Sequence, residues 1–139
     1  MKVLFDTNII LDVLLDRKQF VVRSANLVSM AENKQIEGFL CATTITTIDY
    51  LIAKAHNRVR AKAEIQKLLN IHYISEVNEQ VLGLAINSHF KDFEDAVQYY
   101  SGECIGVDCL VTRNLKDYKG TQLAVYSPEE LLSIIKLQT

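Results

Sequence analysis

Short apolar runs, each about a strand in length, alternate along this chain with stretches whose apolar residues recur at helical spacing. That alternation restricts the fold more than any other feature. The runs are Val3-Leu4-Phe5, Gly38–Ala42, Ile71–Ile74, Val107–Thr112 and Leu123–Tyr126. Between them fall helical stripes: Ile9-Ile10-Leu11 with Val13-Leu14, then Val21/Ala25/Val28 running to about Asn33. Further stripes are Ala61/Ile65/Leu68, Val77/Val81/Leu84 ending near Ser88, Phe93/Val97/Tyr100, and Leu131/Leu132/Ile135. The segment Thr43–Ile52 is rich in β-branched residues, which favours a strand. Its isoleucines at 45, 48 and 52 keep a helical period, so it reads as a helix capped by Thr43 or Thr44. Asn57 reads as the cap of the following helix. Ser127-Pro128-Glu129-Glu130 has the Ser, Pro and Glu spacing of a helix start.

Strands separated by helices need right-handed crossovers and a mostly parallel sheet covered on both faces. The expected architecture is an α/β fold, a three-layer α/β/α sandwich around a sheet of about five strands. A length of 139 residues suits one such unit, and no repeat, linker or low-complexity tract divides residues 1–139. No apolar run approaches the roughly 18 residues of a membrane span. Asp6 interrupts the N-terminal apolar stretch too early for a secretory signal. Cys41, Cys104 and Cys109 are odd in number and sit in apolar surroundings, so they read as small core residues of a reducing compartment, the cytoplasm.

The first run stops at Asp6-Thr7-Asn8, at the carboxyl end of a central strand, where open α/β sheets bind ligands. Thr7 and Asn8 are good helix caps. Asp6 either caps that turn or belongs to a ligand site, and other acids reaching the same edge decide between the two. Asp95 is expected in the first turn of the helix entering the fourth strand, Asn114 and Asp117 in the loop leaving it, and Asp49 about two turns into the helix leaving the second. Asp92 is placed to be an N-cap. Asp12, Asp16 and Asp108 read as surface or turn residues, and His56, His72 and His89 show no ligand spacing. Carboxylates gathered in one pocket need a cation, and hard oxygen donors suit Mg²⁺ or Mn²⁺. The net charge of −2 is unevenly spread. Lys54–Lys67 holds five basic residues against Glu64, and Glu76–Glu103 holds six acids against Lys91. The basic stretch is either a solvated helix face or a phosphate-attracting rim.

The blocks Val3–Ile9, Thr43/Thr46/Asp49, Asp92-Phe93-Glu94-Asp95-Ala96 and Val111–Tyr118 resemble, in order and spacing, the PIN-domain nucleases, especially their bacterial VapC-type toxin branch. The resemblance implies a divalent-metal-dependent ribonuclease that hydrolyses phosphodiester bonds. Asp6, Asp49, Asp95 and Asp117 would be its acids. Asp6, Asp95, Asp117 and Asn114 would be metal ligands, and Thr7, Asn8, Asp92 and Thr112 would support them. It further implies an RNA substrate, an antitoxin partner and a homodimer. Two positions depart from the family pattern: Asp49 stands where glutamate is usual, and Asn114 where aspartate often occurs. Lys54, Arg58, Arg60, Arg113 and Lys116 are candidate RNA phosphate contacts, which would make binding weaken with salt. Two other readings follow from the same residues. One is a catalytically weak or inactive RNA-binding scaffold. The other is a phosphoaspartate protein, for which the Asp-Thr-Asn opening lacks the paired acids and partnering lysine.

Overall fold

In the computed structural model, which describes residues 1–138, Val3, Leu4 and Phe5 of strand β1 (Lys2–Phe5) are fully buried. A parallel strand sandwiched between helices must be apolar on both faces. Its neighbours are β2 (Glu37–Cys41) on one side and β4 (Cys109–Val111) on the other; β3 (Tyr73–Ser75) and β5 (Ala124–Tyr126) form the edges. All pairings are parallel and the strand order is β3-β2-β1-β4-β5. From β1 the chain builds outward to β3, then returns to the far side of β1 for β4 and β5. The order therefore reverses between β1 and β4, and ligands bind outside the carboxyl ends of strands at such a switch point.

The connecting helices are α1 (Thr7–Leu14), α2 (Val21–Glu32), α3 (Ala42–Ala55), α4 (Arg58–Ile71), α5 (Glu79–Ile86), α6 (Phe93–Ile105) and α7 (Pro128–Gln138). Alternation along β1 divides the core. Val3 and Phe5 pack with Leu11, Leu27, Ile48, Leu68 and Leu131 on one face. Leu4 packs with Tyr99, Leu110 and Tyr118 on the other. Cys41 meets Val81, Ala85, Ala96 and Val97 beneath α5 and α6. The three-layer α/β/α expectation is met. Among the described residues no helix is long and apolar enough to cross a membrane.

Local signals hold where a cap is present. Asn57 Oδ1 accepts from Arg60 N at 2.8 Å. Ser127 and Glu130 bond reciprocally, Ser127 N to Glu130 Oε1 at 2.9 Å and Glu130 N to Ser127 Oγ at 3.1 Å. Elsewhere the boundaries move. Ile71 belongs to α4, so β3 begins two residues later than the apolar run. Helix α3 starts at Ala42 with Cys41 at its cap position, and Thr44 is buried instead of capping. Cys41 and Cys109 are core residues, but Cys104 lies on the exposed side of the last turns of α6. Gly102 lets α6 lie close against β1, since a Cβ there would fall 2.6 Å from Leu4 Cδ2. That approach sets the start of α6 beside the end of β1.

Candidate active site

Asp6 occupies the N-cap position of α1 but makes no capping bond with its side chain. The capping alternative is thereby excluded, and so are Thr7 and Asn8 as caps, since both already lie within the helix. Instead, the nearly buried Asp6 carboxylate receives two side-chain donors. Thr112 Oγ1, just past β4, donates to Asp6 Oδ2 at 2.6 Å, and Gln98 Nε2 on α6 donates to Oδ1 at 3.1 Å. The same Thr112 hydroxyl accepts from Asn114 N at 3.0 Å, which ties the following loop to the acid.

Gln98 is the residue the sequence reading missed, and it organises the site. Its Nε2 also donates to Tyr118 Oη at 2.8 Å, while its Oε1 accepts from Thr7 N at 3.1 Å. The hydroxyls of Thr7 and Thr44 each stand 3.1 Å from Oε1 and 2.8 Å from each other. Each hydroxyl has one proton, so one donates to the other and the second donates to Oε1. The amide orientation is fixed by chemistry: turned over, its oxygen would face a carboxylate. Gln98 follows Asp95 by three residues, on the same helical face, and that spacing was the available signal.

A cavity of about 310 Å³ opens here, lined by Asp6, Thr7, Asn8, Thr44, Thr47, Asp92, Asp95, Gln98, Asn114 and Asp117 among others. Asp92 caps α6 through Asp95 N at 3.0 Å. Burial, helped by the charges of Asp92, Asp6 and Asp117, pushes the Asp95 carboxyl up to about 7. Burial and the neighbouring Asp6 and Asp95 charges raise the Tyr118 phenol far above its usual range, so it stays protonated and donates to Asp95 Oδ1 at 3.5 Å. The residues at this edge thus carry negative charge with no basic side chain among those lining the cavity. Among the described residues no group of three His, Cys, Asp or Glu forms a ready-made metal cage. Mg²⁺ needs none, because it keeps several waters and is typically held by one or two carboxylates. A lining that gathers carboxylate, hydroxyl and amide oxygens, with no cationic side chain to neutralise them, fits such an ion.

Asp49 does not reach this cavity. Its Oδ2 accepts from Arg58 Nη1 at 2.7 Å, and that bond holds its carboxyl below the ordinary value. The α3 residues facing the cavity are Thr43, Thr44, Thr47 and Leu51. At 100° per residue Asp49 points some 200° from Thr47, toward α4.

Most of the candidate phosphate contacts are likewise engaged elsewhere. Arg58 pairs with Asp49, Arg60 Nη1 lies 3.3 Å from His56 Nδ1, and Lys54 lies over the Tyr50 ring at 6.0 Å. Arg113 grips Asp12 with two bonds, Nε to Oδ2 at 3.0 Å and Nη2 to Oδ1 at 3.3 Å, and stacks on Phe20 at 4.1 Å. Arg17 adds a third bond to Asp12 at 3.3 Å and one to Asn8 Oδ1 at 3.1 Å. Asp12, read from sequence as a surface or turn residue, is fully buried. Asp16 does sit in a turn, at φ 49°, and exposed Asp108 accepts from Lys2 N. His72 is buried with Nε2 unpartnered, and burial lowers its pKa, so the ring is neutral. Removing the Asp12 carboxylate leaves two arginines without their shared partner. Breaking a buried pair costs about 3–5 kcal/mol, and partial exposure of both guanidinium groups puts Asp12→Ala near the lower end. Urea denaturation should show that loss.

These features define an acid-centred α/β/α domain with its site at the β1/β4 switch point. The PIN domain family model matches residues 2–116, and the chain belongs to that family. Among curated relatives, Ribonuclease VapC1 of Aquifex aeolicus is 25% identical over 134 residues, covering 93% of this chain and 92% of that protein. Two solved structures share the fold. VapBC2 from Rickettsia felis, bound to a DNA fragment from their promoter, aligns with TM-score 0.69 and 14% identity, covering 91% of this chain and 98% of that one. DNA-bound VapBC from Salmonella typhimurium aligns with TM-score 0.70 and 12% identity, covering 92% and 98%.

Proposed function

We propose that this protein is a divalent-metal-dependent endoribonuclease, the toxin of a toxin–antitoxin pair acting in the cytoplasm. The observation that carries the reading is the convergence of Asp6, Asp95, Asp117 and Asn114 on one unneutralised cavity of a PIN domain. The resemblance to Ribonuclease VapC1 supports RNA as substrate. The VapBC complexes among its structural neighbours support an antitoxin partner. A homodimer remains part of the proposal from family resemblance.

Asp6 and Asp95 are the principal ligands for Mg²⁺ or Mn²⁺, with Asp117 and Asn114 extending the site. Such an ion, when bound, activates water and stabilises charge on the phosphodiester. Thr112 and Gln98 hold the Asp6 carboxylate in one orientation, Tyr118 links Gln98 to Asp95, and Asp92 fixes the first turn of α6. Thr7 and Asn8 line the cavity, and Thr7 also braces Gln98. Asp49 takes no part in this chemistry. Of the five basic candidates Lys116 stays on the phosphate path, because it lines the adjoining cavity and makes no ion pair among the described residues.

Purified protein is expected to cut single-stranded RNA with Mg²⁺ or Mn²⁺ and to stop in EDTA. Cleavage that ignores EDTA would sink the proposal. Proton and cation compete for Asp95, whose carboxyl holds its proton up to about pH 7 without a cation. The Mn²⁺ concentration needed for half-maximal rate should therefore rise as pH falls from 8 to 6. A second reading, RNA binding without turnover, is favoured by neutral Asn114 and by the distance of Asp49 from the cavity. Calorimetry that shows Mn²⁺ binding in a protein unable to cut would select it.

A further inference from the structure

The carboxylate cavity has a larger neighbour, of about 660 Å³, that the chemistry above leaves unused. That volume lies within the range of small-molecule sites, about 300–1,000 Å³. Asp92, Asp95 and Asp117 line both cavities, so the two share a wall. Lys91, Lys116, Lys119, Phe90 and Tyr100 line only the larger one. All three lysines are exposed, and among the described residues none of them makes an ion pair. The one further acid in the lining, Glu103, accepts the Tyr99 hydroxyl at 2.7 Å.

Phe90 and Tyr100 are only half-buried, with ring centroids 6.0 Å apart and planes at 68°. Tyr99 braces Tyr100 edge-on at 5.0 Å, and Phe90 also meets Tyr99 and Tyr118 at 5.4 and 5.7 Å. The rings are thus held by an aromatic cluster and keep part of their surface open. Unpaired lysines beside supported aromatic faces are the combination by which proteins hold single-stranded nucleic acid: cations for the phosphates, rings for the bases.

We infer that this larger cavity seats the nucleotide adjoining the cleaved phosphodiester, with Phe90 and Tyr100 stacking its base and Lys91, Lys116 and Lys119 holding phosphate. The inference rests on the ribonuclease reading and adds where the substrate strand runs: along the α6 start and the Lys116–Gln122 loop, not across the basic face of α4. A paired base cannot lie on these rings, so the subsite agrees with the single-stranded substrate expected above.

The test measures affinity and cleavage separately. In the full-length Asp6→Asn protein, which leaves the strand intact, fluorescence anisotropy with a labelled single-stranded RNA reports Kd against salt. Adding Lys91→Ala and Lys119→Ala together should lower the slope of log Kd against log salt by about 1.4, at about 0.7 per phosphate contact on a single strand. Tyr100→Leu should weaken single-strand binding about 10-fold and leave duplex RNA binding unchanged. In the otherwise unaltered protein the same substitutions should raise KM more than they lower kcat. The lysines are exposed, so their replacement tests the idea even if Tyr100→Leu loosens the fold. Cleavage by the parent protein with Kd, salt slope and KM all unmoved by these variants would overturn the subsite and leave the ribonuclease reading standing. Failure of the parent protein to bind or cut RNA would overturn both.

Discussion

Replacing Asp6 with Asn is expected to reduce RNA cleavage about 1,000-fold while the protein still folds. An ion's charge stabilisation at a phosphoryl oxygen is worth several kcal/mol, and each 1.36 kcal/mol is about tenfold in rate. Asp6 stands at the switch point, with Asp95 and Asp117 lining the same cavity, so its loss removes the central anionic donor. The substitution keeps shape and an acceptor for the Thr112 hydroxyl. It also turns an amide NH₂ toward the Gln98 Nε2 donor, which costs about 1–3 kcal/mol for the unmet groups. Against that cost, one of the charges raising the Asp95 carboxyl disappears, so the Asp95 proton should come off at lower pH than in the parent. Single-turnover cleavage at saturating Mn²⁺ measures the rate, and urea denaturation verifies folding. A rate within tenfold of the parent would remove Asp6 from the chemistry.

The acids that meet were legible because each ends or begins an element. Asp6 terminates an apolar run, Asp95 lies three residues past a capping Asp92, and Asp117 follows a strand. Topology then brings these boundaries together, since strands in parallel array deliver their carboxyl ends to one edge. That Asp49 lies off this cavity, paired with Arg58, was not legible for the complementary reason. It lies in the middle of α3, where function depends on helical phase, and phase depends on packing against α4 that no local spacing records. Asp12 and Arg113 show the same limit. An acid on α1 and an arginine 101 residues later meet only through the fold, and together they turn candidate surface groups into a buried clamp. Gln98 carries no charge and sits in the buried stripe of α6, so it offers little beyond its spacing from Asp95.

The second large effect is predicted at Gln98. Its amide uses both nitrogen protons and accepts at its oxygen, joining α6 to the Asp6 junction between β1 and α1, to α1 itself, to α3 and to the Tyr118 turn. Gln98→Leu keeps comparable volume and removes every one of those bonds. It leaves Thr7 N–H, a threonine hydroxyl and Asp6 Oδ1 without their partners in a site closed to most solvent. Each stranded group costs about 1–3 kcal/mol, and the added apolar contact offsets part of the total, so a net loss of about 3 kcal/mol is expected. That corresponds to a Tm lower by roughly 10 °C. Gln98→Glu separates the causes. It preserves shape and acceptor but replaces the donor with a second carboxyl about 3 Å from Asp6, and two such groups cannot both ionise. The introduced carboxyl then holds its proton in the folded state at a pH where the unfolded chain has lost it. Its folded pKa lies above the unfolded value, so stability is present at low pH and falls as pH rises through the folded pKa. Urea denaturation at pH 5 and pH 8 should show Gln98→Leu equally weakened at both, and Gln98→Glu weakened chiefly at pH 8. Equal stability of both variants with the parent at pH 8 would mean that Gln98 does not hold the acids in place.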